Sequence, residues 1–306
     1  MAIPSMPQTD IQRAFEAEGG QVGAIQSGWR LALREFTSNR LAVVGFGILL
    51  FFVLFCFVGP YIYHTNQLNT NDINANLPPS GSDLLGTDTL GFDELGRMML
   101  GGQAALEIGF FAAFVAIVVG TLWGAVAGLA GGIIDSIMMR VVDVFLSIPF
   151  LFVVLILAVR FGATVLSLSL VIGLFAWPVP ARLVRGEVLT LRERDFVLAA
   201  RTAGATPWRL ISRHLIPNAL GVVIVNVTFQ VADAILAVAY IGFLGFGLHY
   251  PNVDWGDQLS NGVAFLQDGY WWLIYPVGAC IVLTVMALNF IGDALRDSMD
   301  VRLRRR

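Results

Sequence analysis

The chain has 306 residues, 57% hydrophobic and only 13% charged, where a soluble domain carries roughly 25% charged residues. So little charge cannot cover a protein in water, which excludes an ordinary soluble globule and leaves lipid as the solvent for much of the surface. The net charge of −3 selects no partner, and the nineteen basic residues, all arginine, form no single basic domain, so nucleic-acid binding is excluded as well.

Taken in order, residues 1–40 are polar and mixed in charge and are read as a tail rather than a signal peptide. A spanning helix needs about 20 apolar residues. Residues 41–63 form the first such run and 108–134 the second. Gly120, Gly124 and Gly128 recur every four residues in the second run, which favours close helix packing. The third run, 138–159, has Arg140 and Asp143 near its start, three apart and read as an ion pair. The fourth is 161–181. The fifth, 215–248, carries Asn226, Gln230 and Asp233, spaced by four and three and so on one helix face. The sixth is 270–292, opening with Tyr270, Trp271 and Trp272 as an interfacial aromatic belt would. The expectation is an all-α membrane protein of six transmembrane helices, with a permease domain over 41–292 and a second tail over 293–306.

Residues 64–102, rich in Asn, Asp, Pro and Gly, read as an exposed loop, and 249–269 as another. Seventeen of the nineteen arginines lie in the two tails, at Arg140, or in the segment 182–214; only Arg97 and Arg160 fall on the other side. The arginine-rich side is expected to be cytoplasmic, with both termini there.

No catalytic residue is expected. Cys56 and Cys280 lie in apolar runs and read as small hydrophobes, His64, His214 and His249 have no ligand spacing, and no metal or cofactor site is suggested. A phosphate-binding loop needs a lysine, and the chain has none.

The informative segment is 195–217, DFVLAARTAGATPWRLISRHLIP. Asp195 reads as an N-cap, Phe196 starts a short helix, Gly204 ends it in a left-handed conformation, and Thr206 with Pro207 opens a second helix. Pro217 marks entry into the fifth run. Ala199 and Ala200 would let a partner backbone approach closely. From shape alone, two readings stand: a helix presented to a cytoplasmic partner, or one folded back on the bundle. For the stripe at Asn226, Gln230 and Asp233 the readings are likewise two, a lining of a translocation path or a hydrogen-bond network with another subunit.

The 195–217 segment resembles the coupling loop of ATP-binding-cassette importer permeases, whose pattern is Glu-Ala-Ala, three residues, Gly, nine residues, Ile, any residue, Leu, Pro. Ala199, Ala200, Gly204 and Pro217 match; Leu198 stands in place of the glutamate, His214 of the isoleucine and Ile216 of the leucine. The motifs LGTDTLGFDELGRMMLGG (85–102), DSIMMRVVDVFLSIP (135–149), ARLVRGEVLTLRERDFVLAARTAGA (181–205), FLGFG followed by DWGDQL (243–259) and NFIGDALRD (289–297) are similar to the dipeptide/oligopeptide permease family, C-type subunit. The resemblance implies the type I importer fold with a cytoplasmic coupling helix formed around Asp195, Phe196, Ala199 and Ala200. It also implies a second homologous permease, two P-loop ATPase subunits that carry ATP-Mg, a solute-binding protein outside, and a place in a bacterial inner membrane. The outer acids Asp83, Asp88, Asp93 and Glu94 then either meet that binding protein or sit in a solvated loop. The rivals are an ion-gradient-driven transporter, which usually shows repeats, broken helices and several intramembrane charges, and a scaffold that only recruits partners.

Overall fold

The computed structural model describes residues 36–65, 67 and 69–304. Its architecture is all helical, and among the described residues the only β pairing is an isolated bridge between Thr87 and Asp93. Helix α1 is Arg40–Phe57, capped by Asn39, whose Oδ1 accepts from the Leu41 and Ala42 N–H groups. Helix α2 runs unbroken over Glu94–Ala130. After it come α3 (Gly132–Ser147), α4 (Phe150–Phe161), α5 (Val165–Ala176), α6 (Pro178–Leu191), α7 (Asp195–Thr202), α8 (Pro207–Leu210), α9 (Ile216–Phe243), α10 (Trp255–Val263) and α11 (Tyr275–Arg304). Four stretches are long and apolar enough to cross a membrane, and the count is six when α3 with α4 and α5 with α6 are each taken as one bent span.

The third and fourth spans, read from the sequence only as apolar runs, are each bent. The axis turns by 79° between α3 and α4 and by 43° between α5 and α6. The cause is proline. Ile148 precedes Pro149 and adopts extended backbone (φ −84°, ψ 129°), as a residue before proline prefers. Pro178 and Pro180 open α6 and have no N–H to give to the preceding turn.

Helices α2 and α9 form the centre. Helix α2 packs on α6, α9, α5 and α1, while α11 packs on α9 and α1. The four-residue glycine spacing is used against α6. A Cβ at Gly120 would lie 2.7 Å from the Trp177 carbonyl oxygen, one at Gly128 2.8 Å from a Val188 methyl, and one at Gly124 would overlap the Ala181 carbonyl oxygen.

The stretch 64–102 is less open than its composition suggests. Residues 94–102 are the first turns of α2, and Asp93, Glu94 and Arg97 are buried. Asp93 caps the helix by accepting from the Gly96 N–H at 2.7 Å, and the Tyr63 hydroxyl donates to it at 2.9 Å. Trp255 Nε1–H donates to the Met98 carbonyl and Gln258 Nε2 to that of Arg97, so α10 lies across this end of α2. Of the aromatic trio, Trp271 is exposed, but Trp272 is buried and donates to the Thr87 carbonyl at 3.3 Å, which removes it from an interfacial belt.

The corner between α9 and α10 is built on Asp254. Its carboxylate is fully buried and accepts from the N–H groups of Leu248 and Asp257, each at 2.9 Å. Burial pushes its pKa up to about 6. The folded corner therefore holds this proton more tightly than the unfolded chain does. The stabilising effect is full below the unfolded aspartate value near 4 and is lost as the pH rises through about 6. Thermal melts followed by tryptophan fluorescence are expected to fall in Tm across that window, and Asp254→Asn is expected to flatten the dependence.

Candidate functional site

Two places carry the chemistry: the surface around α7 and a cavity at the two helix bends. The N-cap of α7 lies one residue earlier than expected. Arg194 has the extended cap conformation (φ −77°, ψ 145°), and Asp195 is the first helical residue. Its acid still sits where the helix dipole favours negative charge. The other end follows the sequence reading. Gly204 has φ +83°, its N–H donates to the Arg201 carbonyl, and the Ala205 N–H donates to that of Ala200, both at 3.0 Å. Those two bonds close the helix in a Schellman turn, a conformation that glycine adopts without the Cβ penalty. Thr206 Oγ1 then accepts from the Arg209 N–H, Pro207 is the first residue of α8, and Pro217 lies in the first turn of α9.

Helix α7 is folded back on the bundle by one face and leaves its other face exposed. Val197 is fully buried among Val184 and Val188 of α6 and Leu210, Ile211 and Leu215, with Ala200 packed beside it. Phe196, Leu198 and Ala199 are exposed on the outer side, as is Trp208 on α8. The helix is therefore anchored to the bundle by one face and presents apolar groups on the other. Leu198, at the position of the family glutamate, belongs to the presented face.

The cavity encloses about 630 Å³ between the ends of α3, α4, α5 and α6 and the middle of α9. Phe145, Phe150, Phe175 and Tyr240 supply much of its apolar wall, and no cationic side chain among the described residues lines it. The stripe on α9 divides here. Asp233 is exposed and opens on the cavity. Gln230 is buried at its edge, and its Nε2 donates to the Ala176 carbonyl at 3.1 Å. In a continuous helix that carbonyl would accept from residue 180, which is a proline. Gln230 thus satisfies the group the α5–α6 bend sets free, as buried polar backbone in a membrane demands. Asn226 does not reach the cavity; it is buried, and its Oδ1 has no hydrogen-bond partner. Of the three stripe residues, Asp233 and Gln230 line this cavity and Asn226 does not.

The ion pairing differs from the local reading. Asp143 pairs with Arg182 of α6, not with Arg140. Asp135 of α3 receives two bonds from Arg185 of α6, at 2.5 and 2.6 Å. Spacing within one helix could not reveal partners 39 and 50 residues away. Of the outer acids, burial removes Asp93 and Glu94 as contact groups, while Asp83 and Asp88 keep part of their surface.

Residues 120–305 match the family described as binding-protein-dependent transport system inner membrane component. Residues 27–79 match the N-terminal TM domain of oligopeptide transport permease C. The chain is 37% identical over 274 residues to the dipeptide transport system permease protein DppC of Bacillus subtilis, covering 90% of this chain and 86% of that one. It is 38% identical over 293 residues to the oligopeptide transport system permease protein OppC of Escherichia coli K12, covering 95% of each. Its fold is similar to a chain in inward-facing structures of the MetNI methionine ABC transporter, with a TM-score of 0.53 over 67% of this chain and 96% of that one at 24% identity. The bent spans by themselves would have suited a gradient-driven transporter, but extended similarity at this level of identity decides the class: the chain belongs to the family of binding-protein-dependent transport system inner membrane components.

Proposed function

We propose that the chain is the C-type permease subunit of an ATP-binding-cassette importer for dipeptides or oligopeptides, forming half of a membrane pathway with a second, homologous permease. The peptide substrate is carried over from the named activities of the DppC and OppC relatives. In this reading the chain sits in a bacterial inner membrane with both termini and α7 in the cytoplasm. The arginine distribution supports that orientation. The chain binds no cofactor and performs no catalysis; two P-loop ATPases below it carry ATP-Mg, and a solute-binding protein delivers substrate from outside.

The observation that carries the coupling role is the two-faced helix α7, with Val197 sealed into the bundle and Phe196, Leu198 and Ala199 presented outward. A helix fixed on one side and apolar on the other suits docking into a groove and transmits the groove's movement to α6 and α9, on either side of it in the chain. Closure of the ATPases on ATP would turn the pathway outward, and hydrolysis would return it inward. Asp233 and Gln230 mark this chain's part of the path. The loop acids that keep surface, Asp83 and Asp88, suit contact with the binding protein.

The test is purification of the assembled complex in mild detergent, identification of the bound proteins and ligand by mass spectrometry, and ATP-driven peptide uptake in proteoliposomes. Uptake that persists without ATP under an ion gradient would overturn the class. Nickel or glutathione on the binding protein would keep the class and move the substrate. Gly204→Val forces a β-branched residue into a left-handed conformation at about 1–2 kcal/mol. It is expected to lower ATPase recovery with the complex while the membrane bundle still folds, as read by co-purification at equal yield of this chain.

A further inference from the structure

The cavity and α7 are separated by most of the length of α6, and α3, which forms part of the wall, has few fully buried side chains. Along α3 only Asp135 and Val142 are buried. Val142 packs against Ala116, Trp177 and Ala181. Met139, Val141 and Phe145 pack partly buried against the same cluster, and polar contacts are added to these: Trp123 Nε1–H donates to the Met138 carbonyl at 3.2 Å, and two ion pairs, Asp135–Arg185 and Asp143–Arg182, tie α3 to α6. The two acids are about two turns apart on α3, while the two arginines are three residues apart on one face of α6, so the pairs reach along α3 from a single patch of α6. Both helices end on the cavity. Phe145 and Leu146 of α3 and Pro178 and Val179 of α6 line it, and each helix meets a proline bend there. At its other end α6 runs through residues 192–194 into α7, and Val184 and Val188 pack on Val197.

We propose that Asp135, Asp143, Arg182 and Arg185 are positioning residues that make α3 follow α6, so that displacement of α7 moves both cytoplasmic walls of the cavity together about the bends at Pro149 and Pro178. Without the pairs, α6 still moves with α7, but α3 is held to it only by the apolar contacts of Val142 and Phe145 near the bend, so its far end lags and the cavity does not change shape as a unit. The inference rests on the proposed docking of α7, and its test separates the two.

The experiment uses the complete complex in proteoliposomes and reads peptide transported per ATP hydrolysed. The Asp143–Arg182 pair is chosen because both side chains are about half exposed, so a reversed charge there is hydrated and the chain folds. Arg182→Asp sets two acids opposite each other. It is expected to leave ATPase recovery and ATP hydrolysis near wild type and to lower transport per ATP about tenfold, within the usual range of coupling between sites. Adding Asp143→Arg restores the pair in the opposite sense and is expected to recover most of the ratio. A purely structural bridge would change yield and melting temperature but not this ratio. An Arg182→Asp complex with the wild-type ratio overturns the inference, and so does a charge-swapped complex that assembles but stays uncoupled. Failure of the α7 reading has a different signature: Ala199→Arg, on the presented face, would then retain its ATPase subunits.

Discussion

Gly124→Leu is expected to abolish recovery of the folded chain from the membrane, whereas Gly186→Ala in the partner helix is expected to leave yield and melting temperature unchanged or slightly raised. The difference lies in what each new side chain meets. At Gly124 the first added carbon already overlaps the Ala181 carbonyl oxygen and approaches the Arg185 N–H nitrogen at 2.9 Å. Both are helix backbone, which cannot rotate away as a flexible side chain can. Inserting methylenes into a well-packed core costs about 1–3 kcal/mol when side chains can yield, and here α6 must move bodily. That movement also strains the Gly120 and Gly128 contacts and pulls Arg185 from Asp135, so the losses couple rather than add. At Gly186 nothing lies within 4 Å of the new carbon, and glycine inside a helix is about 0.5–1 kcal/mol less favourable than alanine. Solubilised yield and size-exclusion profile read both variants. A Gly124→Leu chain with wild-type yield would mean that α2 and α6 are not held by this seam.

What the sequence disclosed was local or periodic. The glycine repeat at 120, 124 and 128 and the turn at Gly204–Pro207 were both legible, because each is written in residues a few places apart and stands in the structure where it was expected. The bends were not read, although Pro149, Pro178 and Pro180 lay in plain view. Counting apolar residues measures whether a stretch can sit in lipid, and a proline does not lower that count; its effect is on backbone geometry. The stretch 64–102 failed for a related reason. Its Asn, Asp, Pro and Gly content marks turns but not their depth, and the N-terminus of α2 with the overlying α10 buries Asp93, Glu94 and Arg97. Tertiary ion pairs were out of reach, since Arg140 was the nearer partner for Asp143 in sequence and Arg182 is the one in space. Of the α9 stripe, periodicity placed three polar residues on one face; only the tertiary structure could show that Gln230 serves the bend while Asp233 remains free to meet the cavity contents.

Asp233→Ala is expected to lower peptide transport about tenfold while leaving subunit assembly intact and raising, or at least not lowering, the thermal stability of the chain. An ionised carboxylate in the middle of a spanning helix costs about 2.5–3.5 kcal/mol on insertion scales. Among the described residues Asp233 makes no ion pair that would offset this. It is exposed on the isolated chain, yet its surroundings on the cavity wall are apolar. On the proposed reading, a residue that is costly and unpaired within its own subunit acts on something outside that subunit. The two candidates are the path contents and the sister permease, and they predict opposite signs in assembly. If Asp233 meets water and the ammonium group of a passing peptide, alanine removes the cost and the attraction together: stability holds or rises and transport falls. If it bonds across the interface, alanine strands a buried partner at about 1–3 kcal/mol, and co-purification of the two permeases weakens. Asp233→Glu sharpens the distinction. It keeps the charge in a cavity of about 630 Å³, which has room for one more methylene, so a path role is expected to survive it, whereas an interface bond of fixed geometry is not. Wild-type uptake by Asp233→Ala would remove this residue from the path and leave Gln230 and the apolar wall as this chain's contribution to it.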